Sequence, residues 1–316
     1  MIQTPTVFVL GAGASMPYRF PSGAVLRRQL CALNSGRNSQ IGLYLIDSLG
    51  FDESEVIDFG KVFLRSNVAS IDSFLARRNE FSQIGKLAIA YHLCSLENLD
   101  SLQSPLDDDD WYFALWNSLI SEVSNIEELI TNKVKIVTFN YDRSLEAFLH
   151  ASIKNTFLAS DEIALTALKN IPIIHVYGSL GDFGLRLDDT IRPYTPDTTA
   201  RSVRTAASGI KIIPEARDDD EVFNIARNWF SETERICFLG FGFDDLNIRR
   251  LNLKKVIEKR NTLGRATPNL VIASTHGMTQ AEVDIAGNLL GANQLGWITR
   301  PLKNLRTLRN IASILR

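Results

Sequence analysis

The sequence of 316 residues has few cysteines, and their arrangement does not suit a structural metal. Cys31, Cys94 and Cys237 lie far apart and form no CxxC pair, which excludes a four-cysteine zinc site. The four histidines are scattered, which argues against a mixed zinc site. We therefore expect no metal in this protein.

The sequence also has little net charge and no long apolar run. Lys and Arg total 34 against 36 Asp and Glu, a formal net charge of −2, so no overall positive field attracts nucleic acid or an anionic membrane. No apolar run reaches the length of about 18 residues that a membrane-spanning helix needs, and the first residues lack the basic segment of a signal peptide. These absences predict a cytoplasmic chain that binds neither nucleic acid nor a membrane.

Short apolar runs alternate with helical patterns along the chain. The runs that indicate buried strands are Val7–Leu10, Lys135–Thr138, Ile171–Val176, Ile236–Gly240 and Pro268–Ser274. Strands that are apolar throughout and alternate with helices need cover on both sides. The pattern therefore predicts an α/β fold, a Rossmann-like parallel sheet with helices on both faces.

Apolar residues three and four apart dominate two further stretches of the sequence. Residues from about 40 to 125 show this spacing without an intervening strand pattern, which predicts a helical insertion. Residues from about 278 to 316 predict a C-terminal helical tail. We expect residues 1–316 to form a single domain, with the first stretch as a helical subdomain or insertion and the second as its tail.

Two polar segments have a structural interpretation. Residues 181–209 are rich in Thr, Asp and Arg and contain Pro193 and Pro196, which predicts a long loop or lid. The acidic run Asp107–Asp110 precedes a helical pattern, and carboxylates favour the positive end of the helix dipole. We interpret this run as a helix N-terminus rather than a metal site.

Four glycine-rich or polar motifs follow directly after predicted strands. They are GAGAS at Gly11–Ser15, TFNYD at Thr138–Asp142, HVYGS at His175–Ser179 and GFGFDD at Gly240–Asp245. The carboxyl ends of parallel strands meet at one edge of a sheet, where α/β proteins bind their ligands. The four motifs therefore predict one shared binding site.

The GAGAS motif is typical of a strand-to-helix turn that accommodates phosphate. Gly11 and Gly13 permit a tight turn and close approach of the backbone to a pyrophosphate. The GxGxxG pattern is incomplete, because Met16 occupies its sixth position. A tight turn with no ligand explains this motif as well.

Asn140, Asp142 and His175 each have a structural and a functional interpretation. Asn140 either caps the next helix or orients a ligand, and Asp142 is the better cap because helical spacing begins directly after it. His175 is either satisfied by backbone at a strand end or acts as a base near neutral pH.

Together these motifs resemble the sirtuin-like domain of bacterial antiphage defence proteins. Ser70-Ile71-Asp72 also resembles the start of a helix in the insertion of that group. The resemblance implies that NAD⁺ is the substrate and that Asn140 and His175 are the catalytic pair. It further implies that NAD⁺ contacts Gly11, Ala12, Gly13, Ala14, Ser15, Thr138, Asp142, Gly178, Ser179, Gly240 and Gly242.

Two departures separate this chain from protein-deacylating sirtuins. Those enzymes carry four zinc-binding cysteines in two CxxC pairs, which this chain lacks. They also have glycine directly after the histidine, whereas Val176 and Tyr177 intervene here. The resemblance therefore implies an NAD⁺ glycohydrolase that releases nicotinamide and ADP-ribose and acts in defence by depleting NAD⁺.

The resemblance also implies partners and leaves other functions open. It suggests a homo-oligomer and either a HerA-type ATPase or a short Argonaute as partner protein. The alternatives are a non-catalytic sensor of NAD⁺ or ADP-ribose, and an ADP-ribosyl transferase or deacylase. An NAD(P)-dependent oxidoreductase ranks lower, because it requires a complete GxGxxG and an acidic residue about 20 residues later.

Overall fold

The computed structural model describes residues 1–212, 221–256, 271–291 and 297–315. Its large sheet consists of β1 (Thr6–Leu10), β2 (Val134–Thr138), β3 (Ile173–His175), β6 (Arg235–Leu239), β7 (Val271–Ser274) and β8 (Trp297–Arg300). A separate parallel pair consists of β4 (Asp182–Phe183) and β5 (Ile191–Arg192).

The large sheet has the strand order β3-β2-β1-β6-β7-β8, and every neighbouring pair is parallel. Numbered along the chain within this sheet, the order is 3-2-1-4-5-6, that of the Rossmann fold. The direction of winding reverses between β1 and β6, so the crevice at this switch point is the expected ligand site. The predicted α/β fold is confirmed.

Helices precede and follow the strands throughout the chain. Those before β2 are α1 (Ala12–Ser15), α2 (Gly23–Cys31), α3 (Gln40–Asp47), α4 (Glu53–Ser66), α5 (Ile71–Leu75), α6 (Ser82–Cys94), α7 (Leu99–Leu102) and α8 (Trp111–Ile120). Those after β2 are α9 (Ser144–Thr156), α10 (Asp161–Lys169), α11 (Ala200–Gly209), α12 (Glu221–Glu232), α13 (Asp245–Leu251), α14 (Gln280–Leu290) and α15 (Asn304–Leu315). Within the described ranges, no helix is long and apolar enough to cross a membrane.

The central strands form because their side chains are apolar on both faces. All five residues of β1 are buried, and β6 is buried from Ile236 to Leu239. Parallel strands covered on both sides require such continuous apolar runs. The helical insertion has its own aromatic core, in which the rings of Phe63 and Phe74 lie 4.7 Å apart. The region from about residue 40 to 125, which the sequence predicted as helical, contains α3 to α8.

The acidic run before α8 divides into two roles. Asp110 caps α8, since its Oδ1 accepts the N–H of Phe113 at 3.2 Å, as predicted. Asp109 is instead buried and accepts the backbone N–H groups of Asn304 at 3.3 Å and Leu305 at 2.6 Å. Asp109 therefore caps α15, a helix almost two hundred residues away that the sequence could not connect to it.

The interpretation of residues 181–209 as a long loop or lid is wrong for its second half. Residues 200–209 form α11, which packs against α6 and buries Val203, Ala206 and Ala207. Thr199 caps this helix by accepting the N–H of Ser202 at 3.4 Å. The apolar face of α11 consists of small side chains, so the hydrophobic periodicity of this polar segment is too weak to indicate a helix.

The predicted C-terminal tail also contains a strand. Helices α14 and α15 agree with the prediction, but β8 lies between them and pairs with β7 at the edge of the sheet. Four residues carry too little periodicity to reveal a strand. Residues 268–270, the start of the predicted last strand, lie outside the described residues.

Candidate functional site

The GAGAS turn is fastened to the turn that follows β6. The N–H of Gly11 donates to the carbonyl of Leu239 at 3.1 Å, and the N–H of Gly13 donates to that of Gly240 at 2.9 Å. A Cβ on Gly13 would lie 2.8 Å from Gly240 Cα. Gly240 has φ +57°, and its Cβ would lie 2.0 Å from the nitrogen of Ala14. Both glycines are therefore required for the contact between two backbones.

A cavity of about 420 Å³ adjoins this contact at the carboxyl ends of β1, β6 and β7. Its size lies within the range of about 300 to 1,000 Å³ that small-molecule sites occupy. Gly13, Gly240, Gly242, Ser274, Lys303 and Asn304 contribute to its lining. A Cβ on Gly242 would meet no atom within 4 Å, so packing does not require a glycine there. The cavity lies where the topology predicts a ligand.

Two residues of this cavity were missed in the sequence. Asn304 Nδ2 donates to the carbonyl of Gly13 at 3.1 Å, and Ser274 Oγ donates to Asn304 Oδ1 at 3.0 Å. Ser274 Oγ in turn accepts the N–H of Gly240 at 2.8 Å. Ser274 ends a strand run and was a visible candidate, whereas Asn304 lies in a segment with no motif. These bonds hold the two glycine turns and α15 together.

Asn140 lies against the GAGAS turn. Its Nδ2 donates to the carbonyl of Gly11 at 2.9 Å and to Ser15 Oγ at 3.0 Å. Helix α9 begins at Ser144, so Asn140 does not cap it and that interpretation is wrong. Thr138 Oγ1 accepts the backbone N–H of Asn140 at 3.1 Å and thereby supports the turn. The structure thus brings together residues from two of the four motifs.

The other residues of the GAGAS motif differ in exposure. Ala12 is exposed at the start of α1. Ala14 is buried, and its carbonyl accepts the indole N–H of Trp111 at 2.7 Å. Ala14 therefore belongs to the core, while Ala12 faces outward beside the turn.

Asp142 lies two residues before the start of α9, whose N-cap is Arg143 rather than Asp142. Its Oδ1 accepts the backbone N–H of Ser144 at 3.2 Å and also the hydroxyl of Ser144. The hydroxyl of Tyr112, on α8, is bonded to Ser144 Oγ at 2.7 Å. Burial raises the pKa of Asp142, although hydrogen bonds from Ser144 and Ser15 oppose that shift. Asp142 therefore links the TFNYD turn to the helical insertion.

A second link to the insertion explains the Ser70-Ile71-Asp72 motif. Ser70 caps α5 by accepting the N–H of Ser73 at 3.1 Å. Asp72 accepts a hydrogen bond from the hydroxyl of Tyr141, which lies inside the TFNYD turn. The insertion therefore contacts the turn at Tyr141, the residue after Asn140.

His175 contacts both Asn140 and a residue that the sequence analysis missed. Its Nδ1 lies 2.7 Å from the backbone carbonyl oxygen of Asn140, and its Nε2 lies 2.6 Å from Glu146 Oε1. The side chains of His175 and Glu146 are only 13% and 12% exposed. Glu146 is a lone carboxylate on the buried face of α9, between Leu145 and Ala147, and this was its only signal in the sequence.

The two partners shift each other's proton affinity. Burial lowers the pKa of His175, but the neighbouring carboxylate of Glu146 outweighs burial and holds the pKa above 6.5. Burial raises the pKa of Glu146, but the imidazole of His175 outweighs burial and holds the pKa below 4.5. The opposite directions of the two shifts are those of a carboxylate and an imidazolium in hydrogen-bonding contact.

A second cavity, of about 450 Å³, lies beside this pair and includes Glu146, His175 and Ser179 in its lining. Ser179 Oγ donates to the carbonyl of Gly181 at 3.1 Å. Gly178 has φ +71°, and its Cβ would lie 1.9 Å from the carbonyl oxygen of Gly209. Gly178 is therefore required for packing against the end of α11.

The described residues contain no group of three or more His, Cys, Asp and Glu side chains that could hold a metal ion. Cys31, Cys94 and Cys237 are buried and free.

Comparisons with known proteins address the family. The chain matches no curated protein sequence. Residues 134–287 match the family model of the SIR2-like domain, a range that includes Asn140, Glu146 and His175 but not the GAGAS turn. The match supports a sirtuin-like domain with NAD-related activity in this part of the chain.

Proposed function

We propose that the protein is an NAD⁺ glycohydrolase that releases nicotinamide and ADP-ribose. The observation that carries this proposal is the meeting of Asn140 and His175 beside the GAGAS turn, with 2.7 Å between His175 Nδ1 and the carbonyl of Asn140. The SIR2-like match covers both residues. An amide and an imidazole at the ligand edge of a Rossmann-like sheet suit cleavage of a dinucleotide.

The reaction needs few catalytic groups. Nicotinamide leaves NAD⁺ as a neutral molecule, so the leaving group requires no proton. The protein must stabilise a positively charged ribose and deliver water to its C1 atom. Among the described residues, no donor is bonded to Asn140 Oδ1, so this atom is available to a ribose hydroxyl or water. His175 supplies the base.

The geometry supports one orientation of the substrate. The GAGAS turn contacts Asn140 through the carbonyl of Gly11 and lines the cavity of about 420 Å³ through Gly13. An extended dinucleotide would place its nicotinamide ribose near Asn140 and His175, its pyrophosphate against Gly11–Ser15, and its adenosine in the cavity. Gly242 and Lys303 would then line the adenosine end.

The biological role belongs to the same proposal. The resemblance of the motifs to defence proteins supports a cytoplasmic effector that depletes NAD⁺ during phage infection. Uncontrolled NAD⁺ cleavage would kill the host, so activity must depend on another event. A homo-oligomer that assembles with a HerA-type ATPase, or alternatively with a short Argonaute, would supply this control.

The test measures NAD⁺ consumption by the purified protein, with chromatographic separation of the products. We expect Asn140→Ala and His175→Ala each to reduce turnover by about 10² to 10⁴, the usual contribution of a positioned catalytic group. His92→Ala is the matched control, because His92 lies on α6 outside the site. If the wild-type protein neither binds nor cleaves NAD⁺, also in the presence of a lysate from infected cells, the proposal is wrong.

One observation favours a non-catalytic sensor as the second candidate. Both ring nitrogens of His175 face protein acceptors, so neither is open to a substrate proton in this structure. A protein that binds NAD⁺ or ADP-ribose without turnover would tolerate this arrangement. Calorimetric binding of NAD⁺ by wild type, with no nicotinamide released under any activating condition, would favour the sensor.

A further inference from the structure

The hydrogen bonds of His175 determine where its protons lie. The carbonyl oxygen of Asn140 can only accept, so Nδ1 of His175 must carry a hydrogen. Nε2 lies 2.6 Å from Glu146 Oε1, so a second proton lies between these two atoms. His175 and Glu146 therefore hold one proton more than a neutral imidazole beside a carboxylate would hold.

The position of Glu146 is costly unless this contact exists. A carboxylate with 12% exposure loses most of its hydration, and only a strong partner compensates for that loss. Leu145, Ala147 and Phe148 around it on α9 are buried and apolar. The histidine ring is the partner that the fold supplies to this carboxylate.

Other charged groups act on the pair from the elements around it. Asp142 raises the pKa of His175, and Arg143 lowers the pKa of Glu146. Lys169, at the end of α10, and Asp182, in β4, line the same cavity. The charges of these groups are of both signs, so their effects on the pair partly cancel. Glu146, in contrast, is in hydrogen-bonding contact with Nε2.

We infer that Glu146 is a positioning residue for His175, which fixes the ring through Nε2 and sets the protonation state in which His175 can act. This inference rests on the proposed NAD⁺ glycohydrolase activity. The catalytic unit is then a glutamate–histidine pair, in which the Asn140 carbonyl holds Nδ1 of the ring and Glu146 holds Nε2.

The proton balance of the reaction follows from this arrangement. When the pair has lost its extra proton, Nε2 carries a lone pair and Nδ1 keeps its hydrogen on the Asn140 carbonyl. Because Glu146 Oε1 lies 2.6 Å from Nε2, this contact must open for water to reach Nε2. Water then transfers a proton to Nε2 while its oxygen bonds to C1 of the ribose and the bond to nicotinamide breaks. The carboxylate of Glu146 stabilises the imidazolium that forms, and the proton is finally released to solvent.

The inference predicts a specific change in pH dependence. Removing the negative charge in Glu146→Gln should lower the pKa of His175, so the acid limb of the kcat/KM profile should move to lower pH. The maximum of kcat should fall about 10-fold or more, because the ring loses its orientation. Glu146→Asp keeps the charge and should restore part of both properties.

A second readout does not depend on activity. The chain has four histidines, so the titration of His175 can be followed by NMR and assigned with His175→Gln. We expect the midpoint of His175 to move to lower pH in Glu146→Gln and to stay unchanged in Glu162→Gln, an exposed carboxylate on α10. This comparison also works if the protein proves to be a sensor, which separates the inference from the proposed function.

Two results would overturn the inference. One is an unchanged titration of His175 in Glu146→Gln variants that are folded by circular dichroism. The other is a kcat reduced equally at every pH with no movement of the acid limb, since a purely structural role predicts that pattern.

Discussion

The protein buries two clusters of charged side chains near the start of α9, and the clusters differ in burial and in the side chains that they contain. The first, which we call the Glu97 triad, consists of Glu97, Arg143 and Arg192, all at most 1% exposed. The second is the pair of His175 and Glu146, whose side chains are 13% and 12% exposed beside a cavity. Only the second contains a histidine.

The triad joins three segments of the chain through ion pairs and hydrogen bonds. Arg143 Nη2 lies 2.7 Å from one oxygen of Glu97, and Arg192 Nη1 lies 3.2 Å from the other. Arg143 Nη1 donates to the carbonyl of Arg192 at 2.7 Å, and Arg192 Nε donates to Ser202 Oγ at 2.8 Å. Guanidinium groups do not lose their protons in proteins, so Glu97 is the titratable member of the triad, and burial raises its pKa although Arg143 and Arg192 oppose that shift.

The difference shows that buried charge alone does not mark a catalytic site. The triad is more deeply buried and contains more hydrogen bonds, yet neither arginine can act as an acid or base. The pair is more accessible and has two groups whose pKa values are moved apart. Titratable partners beside a cavity are the combination that indicates chemistry.

The largest expected effect on stability comes from removing the only carboxylate of the triad. Glu97→Gln leaves Arg143 and Arg192 buried without a counter-charge, which should lower the free energy of unfolding by about 3 to 5 kcal/mol. Urea denaturation at pH 7 measures this change. The control is Glu232→Gln, which removes an exposed ion pair with Lys135 and should cost about 0 to 1 kcal/mol. Equal losses in both variants would show that the triad is not the stabilising element.

A smaller effect distinguishes the two arginines. Arg143 makes a bidentate contact with Glu97, so Arg143→Met should cost about 3 kcal/mol. Arg192 makes one longer contact, and its Nη2 has no hydrogen-bond partner among the described residues, so Arg192→Met should cost about 1.5 kcal/mol. The same urea titrations check the order, and a larger cost for Arg192→Met would contradict this account.

The smallest expected effect on stability belongs to the pair, and it should depend on pH. Glu146, with a lowered pKa, contributes stability above its ordinary value of 4.5 and loses it as pH falls. His175, with a raised pKa, contributes fully below its ordinary value of 6.5 and loses this contribution as pH rises through its folded-state pKa. Glu146→Gln should therefore cost about 1 kcal/mol between these values and less at higher pH.

Thermal unfolding of wild type and Glu146→Gln from pH 5 to pH 9 tests this dependence. A difference in stability that stays constant over the whole range would show that the pair contributes no titrating interaction. Because the expected loss is small, a folded variant should be available for the activity measurements described above.

The sequence predicted the parts of the site that depend on local order along the chain. Apolar runs marked β1, β2 and β6, and the rule that parallel strands end at one edge brought Asn140 and His175 together. Helical spacing marked the insertion because its apolar residues are large. The same method missed α11, whose buried face consists of alanine and other small residues.

The residues that were missed depend on contacts between distant parts of the chain. Glu146 occupies a helix position where a charge normally faces solvent, and only the packing of α9 against β3 reveals its partner. Asp109 and Asn304 are separated by 195 positions, and the acidic run that contains Asp109 indicated only the adjacent helix. Such pairings are decided by tertiary packing, which single-sequence periodicity does not contain.

The hydrogen bond from Asn304 to the carbonyl of Gly13 has a consequence for control of the protein. Asn304 is the first residue of α15, so docking of this terminal helix and the shape of the crevice are thermodynamically linked. If docking of α15 raises the affinity of the crevice for a ligand by some factor, the bound ligand must raise the equilibrium constant for docking of α15 by that same factor. Conversely, a partner that pulls α15 away would weaken ligand binding without touching the ligand.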